Sequence, residues 1–333
     1  MKIIIPMAGM GKRMRPHTLT IPKPLIHIAG KPIVQRLVED ISKVFSEKVT
    51  EIGFIIGNFG AEVEQQLIKI AEDTGAIGKI FYQNEALGTA HAILCAEKML
   101  EGKVTIAFAD TLFKADFILD DSKESIIWIQ KVKDPSAFGV VKINSENIIT
   151  DFVEKPKEYV SDLAIIGIYY FKDGDNLKNE LQYLINNNII KGNEYQLTDA
   201  LENMKQKGIK FNIGEVTEWL DCGNKNATVY TNQRILEIHK ETDLISKSAI
   251  IQDSIIIPPC FIGDNVKLKN SIIGPYASIG ENTNIDNSII KNSIVQTNTK
   301  ITNAVIDNSM IGNHVEYMNY TKDVSIGDYT AIS

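Results

Sequence analysis

A short apolar run, Lys2–Met7, empties into Ala8-Gly9-Met10-Gly11-Lys12-Arg13-Met14-Arg15-Pro16, and Lys23-Pro24-Leu25 follows. Glycines let backbone N–H groups close on phosphate oxygens, and lysine and arginine supply the opposing charge. Four cations, Lys12, Arg13, Arg15 and Lys23, crowd one predicted strand end in a chain of net charge −7. The loop therefore reads as a phosphate cradle for a small anionic ligand, placed where open α/β sheets bind ligands. It is not a dinucleotide fingerprint, which needs a third glycine where Met14 stands. Nor is it a P-loop, which needs Ser or Thr where Arg13 stands.

Four further clusters carry chemistry. In Tyr82-Gln83-Asn84-Glu85-Ala86-Leu87-Gly88-Thr89-Ala90, the Gln83 amide both donates and accepts, which suits a nucleobase edge, and Gly88 admits a flat group close to the backbone. Read more plainly, Gly88 is a turn residue and Thr89 a helix cap. Phe108-Ala109-Asp110 ends an apolar strand in a carboxylate; beside phosphates, a carboxylate points to Mg²⁺. Glu154-Lys155-Pro156 pairs an acceptor for sugar hydroxyls with a phosphate partner. Trp219-Leu220-Asp221-Cys222-Gly223 offers Asp221 as a second metal ligand. His17 and His27 flank the basic loop in sequence, form no catalytic set there and read as structural. Cys222 has no nearby His or CxxC partner and reads as a small apolar residue.

These clusters need strand ends to hold them. Strands are predicted at Lys2–Met7, Ile52–Ile56, Lys79–Tyr82, Val104–Phe108, Ile126–Lys131 and Leu163–Phe171. Helices are predicted between them, from Pro32 to Lys43, Ala61 to Ala71 and Thr89 to Met99. The alternation predicts an α/β, Rossmann-like, mostly parallel sheet with helices on both faces. Gly139–Ile143 and Ile148–Glu154, joined at Ser145-Glu146-Asn147, predict an antiparallel insertion, and Asn224–Lys240 a bridging helix. From about 244 the texture changes. Asp253-Ser-Ile-Ile256 returns as Asn270-Ser-Ile-Ile273 and Asn287-Ser-Ile-Ile290, a 17-residue repeat that predicts a left-handed parallel β-helix. The expected domains are 1–240 and 241–333.

The chain has 333 residues, an acidic balance and no basic-aromatic run, which argues against nucleic acid. Three scattered cysteines, Cys95, Cys222 and Cys260, fit a reducing compartment. The first residues read as folded sequence rather than a signal peptide, and no apolar run approaches the roughly 20 residues of a membrane span. The expectation is a cytoplasmic protein with small-molecule partners, no nucleic acid and no membrane.

In their order and type, these motifs resemble those of the sugar-1-phosphate nucleotidyltransferases. The matching residues are Gly9-Met-Gly11-Lys-Arg13-Met-Arg15-Pro16, Lys23-Pro24, Gln83, Leu87-Gly-Thr-Ala90, Asp110, Glu154-Lys-Pro156 and Trp219-Leu-Asp221-Cys-Gly223. With the β-helix, the chain is most similar to the long-form glucose-1-phosphate thymidylyltransferases. The uridylyltransferases for glucose or N-acetylglucosamine 1-phosphate are near neighbours. Lys12 departs from the family's threonine, and Thr111 from the asparagine that many thymidylyltransferases carry.

The resemblance implies roles. Arg13, with the backbone of Ala8, Gly9 and Gly11, would hold the triphosphate, and Gln83, Gly88 and Thr89 the pyrimidine nucleoside. Lys23 and Lys155 would hold the sugar phosphate. Gly139, Glu154, Ile165 and Glu194 would hold the sugar, and Asp110 and Asp221 would share Mg²⁺. Arg13, Lys23 and Asp110 would be the catalytic set. The implied reaction joins dTTP or UTP to a sugar 1-phosphate and releases pyrophosphate. It needs no protein nucleophile, in keeping with the absence of a Ser–His or Cys–His pair. A non-catalytic regulatory subunit would show damaged phosphate or metal residues, and all are present here. An acyltransferase in the β-helix would need a general base, for which that region offers His314 alone. The β-helix is instead expected to serve homo-oligomer assembly.

Overall fold

A computed structural model describes residues 1–114 and 118–320; the last 13 residues of the predicted β-helix domain lie outside the described residues. The chain divides into two compact units. Met1–Ile26 with Pro32–Asn224 forms the first, and His27–Lys31 with the chain from Lys225 onward the second.

The first unit alternates strands and helices. In chain order these are β1 (Lys2–Pro6), α1 (Ile33–Lys43), β2 (Glu51–Ile56), α2 (Ala61–Asp73), β3 (Ile77–Tyr82), α3 (Thr89–Leu94), β4 (Val104–Ala107) and β5 (Thr111–Lys114). There follow β6 (Ser125–Lys131), β7 (Gly139–Ile143), β8 (Ile149–Glu154), β9 (Leu163–Phe171), α4 (Gly174–Asn186), α5 (Leu197–Gln206), β10 (Phe211–Glu215) and β11 (Glu218–Asp221). The main sheet has the order β8-β7-β9-β4-β1-β2-β3, with β6 also on β9 and β10 on β6. β1 is central and parallel to both β2 and β4. Ile3, Ile4 and Ile5 are therefore all buried, so its sequence is a continuous apolar run rather than an alternation.

The sheet is mixed rather than mostly parallel. β9 runs antiparallel to β4, β6 and β7, while β1, β2, β3 and β4 form a parallel block. The predicted insertion is present as the antiparallel pair β7–β8. Parallel alignment matters for function: the segments leaving β1, β3 and β4 emerge at one carboxyl edge. Those segments are the glycine loop, Gln83 and Asp110.

Local chemistry sets the helix starts. α1 follows Pro32 and buries Ile33, Val34, Leu37, Val38 and Ile41 on one stripe. α4 is capped by Asp173, whose carboxylate accepts from Asp175 N at 3.1 Å and Asn176 N at 3.2 Å.

The second unit opens with α6 (Lys225–Ile238), the helix that the sequence places between the two domains. Beyond it, among the described residues, short parallel strands stack into sheets of five, four and four, the coils of the left-handed β-helix. Ile255, Ile272 and Ile289 pair at 17-residue steps, and Val305 follows after 16. The corners use left-handed backbone. Asp253, Asn270, Asn287 and Asn303 have φ of 47, 47, 48 and 55°; Asn265, Asn282 and Asn298 repeat the pattern at another corner. Asn and Asp tolerate this conformation better than other side chains with a Cβ, which explains their density in the repeat. His314, at φ 56°, continues the Asn265–Asn282–Asn298 stack and is a corner residue by position.

Inside the coils, Ile262, Ile273, Ile279, Ile290 and Ile301 are fully buried. Ile289, the neighbour of Ile290 on the outward face, is 40% exposed. Ile290→Ala is expected to destabilise the β-helix by roughly 2–5 kcal/mol, whereas Ile289→Ala should cost less than about 1 kcal/mol. Urea unfolding of the two variants checks this, and equal costs would contradict the assigned register.

Candidate active site

The cradle after β1 is built around Gly11. Its φ of +56° is left-handed, and a Cβ there would meet Thr18 Cγ2 at 3.0 Å and Lys23 Cβ at 3.1 Å. Its carbonyl accepts from Met14 N at 2.9 Å and Thr18 Oγ1 at 2.8 Å, closing a short 3-10 turn over Lys12–Met14. Met14 is buried and anchors the turn, while Lys12, Arg13 and Arg15 stay exposed. Among the described residues, and apart from its chain neighbours, no atom lies within 4 Å of a Cβ built on Gly9, so that position leaves open room beside the loop.

The acidic corner is set by a second, two-stranded sheet. β5 and β11 pair antiparallel with Asp221 opposite Thr111, and Cys222 N donates to the Asp110 carbonyl at 2.9 Å. That register brings Asp110 and Asp221 together. Lys23 Nζ sits 2.5 Å from Asp110 Oδ2, and Asp221 Oδ1 accepts from Gly223 N at 3.0 Å. Burial, and then the like charge of Asp110, raise the Asp221 pKa, while Gly223 N–H, Lys23 and Arg13 pull it down. A Cβ on Gly223 would lie 3.0 Å from Asp221 Oδ1 and 3.3 Å from Arg13 Nη2, so the guanidinium and the carboxylate flank one glycine. Cys222 is buried.

A cleft of about 260 Å³ opens beside these groups. Ala8, Gly9, Gly11 and Lys23 line one side; Gln83, Gly88 and Thr89 line another; Asp110 and Glu194 complete it. The base-side residues are tied to the segment after Glu194. Gly88 has φ +109°, and a Cβ there would fall 2.5 Å from Tyr195 O, so its Cβ side faces Tyr195. Thr89 Oγ1 accepts from Leu197 N at 2.9 Å; the threonine pins this crossing instead of capping α3. Gln83 Nε2 donates to Gly88 O at 3.1 Å and lies 3.2 Å from His91 Nδ1. Glu194 accepts from Gln196 Nε2 at 3.2 Å.

Gly139, Glu154 and Ile165, on β7, β8 and β9, meet at a second point. A Cβ on Gly139 would lie 3.1 Å from Glu154 Oε2 and 3.5 Å from Ile165 Cδ1. Lys155 is exposed with φ 41°, its Nζ 3.3 Å from Glu154 Oε1. Three groups here escape sequence reasoning. Thr198 Cγ2 approaches the Gly139 position to 3.6 Å. Burial and then the Glu154 charge keep the Tyr169 phenol protonated. His91 touches Gln83. Each sits in a run whose apolar periodicity masks it; Thr198 alone had a signal, since it adjoins Glu194 in one segment.

Among the described residues no group of three or more His, Cys, Asp or Glu side chains could hold a metal. Two carboxylates are nevertheless a fitting donor set for Mg²⁺, which commonly takes one or two protein carboxylates and completes its shell with phosphate and water. Of the two effects that raise Asp221, burial and then the charge of Asp110, the second is what a cation would relieve.

The sign of that repulsion has a measurable result. A carboxyl whose folded pKa is raised contributes stability below the ordinary carboxylate range and loses it as pH climbs through the raised value. Asp221→Asn is therefore expected to raise the thermal midpoint at pH 7.5 in EDTA by about 1–4 °C, the gain vanishing at acidic pH. Circular dichroism melts at several pH values check this. A lower midpoint at pH 7.5 would mean that Lys23 and Arg13 outweigh the repulsion.

Known proteins are similar to this chain in sequence and in fold. The nucleotidyl transferase family model matches residues 2–238. The low-salt glycan biosynthesis nucleotidyltransferase Agl11 of Haloferax volcanii is 31% identical over 71% of this chain and 66% of its own length. The bifunctional protein GlmU of Methanococcus aeolicus is 31% identical over 77% of this chain and 60% of its own. The chain thus spans less than two thirds of these relatives' length. In fold it is similar to a UDP-glucose pyrophosphorylase complexed with UDP-glucose, with TM-score 0.58 and 24% identity over 71% of this chain and 98% of that one. With a cradle, an acidic corner and a family match that covers all of them, the chain belongs to the nucleotidyl transferase family.

Proposed function

We propose that this protein transfers a nucleotidyl group from a pyrimidine nucleoside triphosphate, dTTP or UTP, to a sugar 1-phosphate, glucose 1-phosphate first among candidates. One observation carries the reading: Arg13, Lys23, Asp110 and Asp221 meet beside the Gly9–Gly11 loop at the carboxyl edge of parallel strands. The names of the relatives, which include a nucleotidyltransferase and a UDP-glucose pyrophosphorylase, support it.

In this reaction an oxygen of the sugar phosphate attacks the α-phosphorus in line. The bond from the α-phosphorus to the bridging oxygen breaks, and pyrophosphate leaves with the electron pair. The protein's part is positioning and charge compensation. The Gly9–Gly11 backbone and Arg13 take the triphosphate; Lys23 and Lys155 take the sugar phosphate. Gln83 and Gly88 face the base, and Glu154, Gly139, Ile165 and Glu194 the sugar. Asp110 and Asp221 would hold Mg²⁺, which when bound neutralises phosphate charge. Three free cysteines fit a reducing cytoplasm, and stacked coils suit assembly into a homo-oligomer.

Pyrophosphate release with Mg²⁺ tests the reading, using glucose 1-phosphate and N-acetylglucosamine 1-phosphate across dTTP, UTP, CTP, GTP and ATP. Release is expected with dTTP or UTP. Asp110→Asn should lower kcat/KM by about 100-fold or more, the usual scale for a lost charge-stabilising group. Silence with every pair would favour a non-catalytic regulatory subunit, and full activity of Asp110→Asn would remove the metal assignment.

A further inference from the structure

Gln83 is held in a way that nucleotidyl transfer does not by itself require. Its Nε2 donates to Gly88 O at 3.1 Å and lies 3.2 Å from His91 Nδ1. An amide nitrogen carries two hydrogens and offers no acceptor. Both hydrogens are engaged only when His91 Nδ1 is bare, which is the neutral ring protonated on Nε2. A reversed amide would set its oxygen against the Gly88 carbonyl oxygen. The amide therefore has one satisfied orientation, with Oε1 left as the acceptor of a residue that lines the cleft. His91 is half-buried on the first turn of α3 and is not part of the cleft lining.

We propose that His91 is a positioning residue whose neutral ring locks the Gln83 amide, so that the nucleotide pocket presents an acceptor and selects bases with an imide N–H. Uracil and thymine carry that donor; cytosine has a ring acceptor in its place. The inference rests on the nucleotidyl-transfer reading and adds a determinant of base choice to it.

Protonation of His91 would place a hydrogen on Nδ1, facing the amide hydrogens, and the lock would open. Burial lowers the His91 pKa from its usual 6.5, and the exposed Glu85 carboxylate is the charge that acts against this. The segment from Glu194 to Leu197, bonded to α3 at Thr89 and Ala90, brings the Glu194 carboxylate to the same helix start, where Gln196 Nε2 donates to it.

The decisive experiment is the KM for dTTP and UTP between pH 8 and 5.5 at saturating sugar phosphate. In the intact protein KM is expected to climb on the acid side more than kcat falls. His91→Asn keeps an acceptor close to the Nδ1 position and does not titrate, so its KM should lack that climb. His91→Phe has no acceptor. Its KM at pH 8 should rise about five- to tenfold, the scale of one hydrogen bond, and its preference for UTP over CTP should shrink by a similar factor. An unchanged KM in His91→Phe, or an acid climb that persists in His91→Asn, would overturn the lock. Should the intact protein turn over no nucleotide, the nucleotidyl-transfer reading fails first. Nitrogen-15 spectra of the imidazole at pH 7.5 then decide the lock separately: an Nε2–H ring upholds it, and an Nδ1–H ring ends it.

Discussion

Two carboxylates held next to each other at a sheet edge are the constraint around which this site is organised. Asp110 and Asp221 come from strand ends about a hundred residues apart in sequence, yet one ladder, β5 against β11, fixes them as neighbours. The Cys222 N–H to Asp110 carbonyl bond closes that ladder at the point where it counts. Like charges in a half-buried corner repel, and the fold tolerates the repulsion by bringing Lys23 and Arg13 to them. The same cations belong to the cradle after β1. The acidic and basic halves therefore hold each other in place and cannot be laid out independently.

The parallel block makes this coincidence possible. Because β1, β2, β3 and β4 run the same way, the loops leaving β1, β3 and β4 share one edge. The antiparallel β9 then carries Ile165 alongside, and pairs with β7, where Gly139 stands against Glu154 of β8. Gly88 closes the opposite side. Only a glycine at φ +109° lets Tyr195 pass within van der Waals reach, and the Thr89–Leu197 hydrogen bond holds that crossing together.

Much of this was legible in the residues. The continuous apolar run of β1 marked a strand, and Leu163–Phe171 was bounded to the residue. The 17-residue repeat announced the coils because each corner demands a residue that accepts left-handed backbone. Strand direction was not legible: apolar periodicity is the same whichever way β9 runs, so the sheet read as mostly parallel. The short β5 and β11 carry too few residues for a periodic signal, although they place the two aspartates. Thr198, Tyr169 and His91 were hidden for another reason. Their roles depend on what their side chains touch across the fold; only Thr198, in the same segment as Glu194, had a local signal.

The polar groups around the cleft are seldom idle. Lys23 is on Asp110, Lys155 on Glu154, Glu194 on Gln196 and Gln83 on both Gly88 and His91. Substrate binding in the proposed reaction is then an exchange of partners rather than a filling of vacant donors. In that reaction a phosphate that drew Lys23 away from Asp110 would leave the carboxylate free to help hold a cation beside Asp221. Held in these pairs, long side chains have already lost much of the rotamer freedom that binding would otherwise remove. Gln83 differs from the others. Its partners occupy the donating nitrogen and leave the accepting oxygen, so for that residue alone the pairing decides what kind of ligand atom can follow.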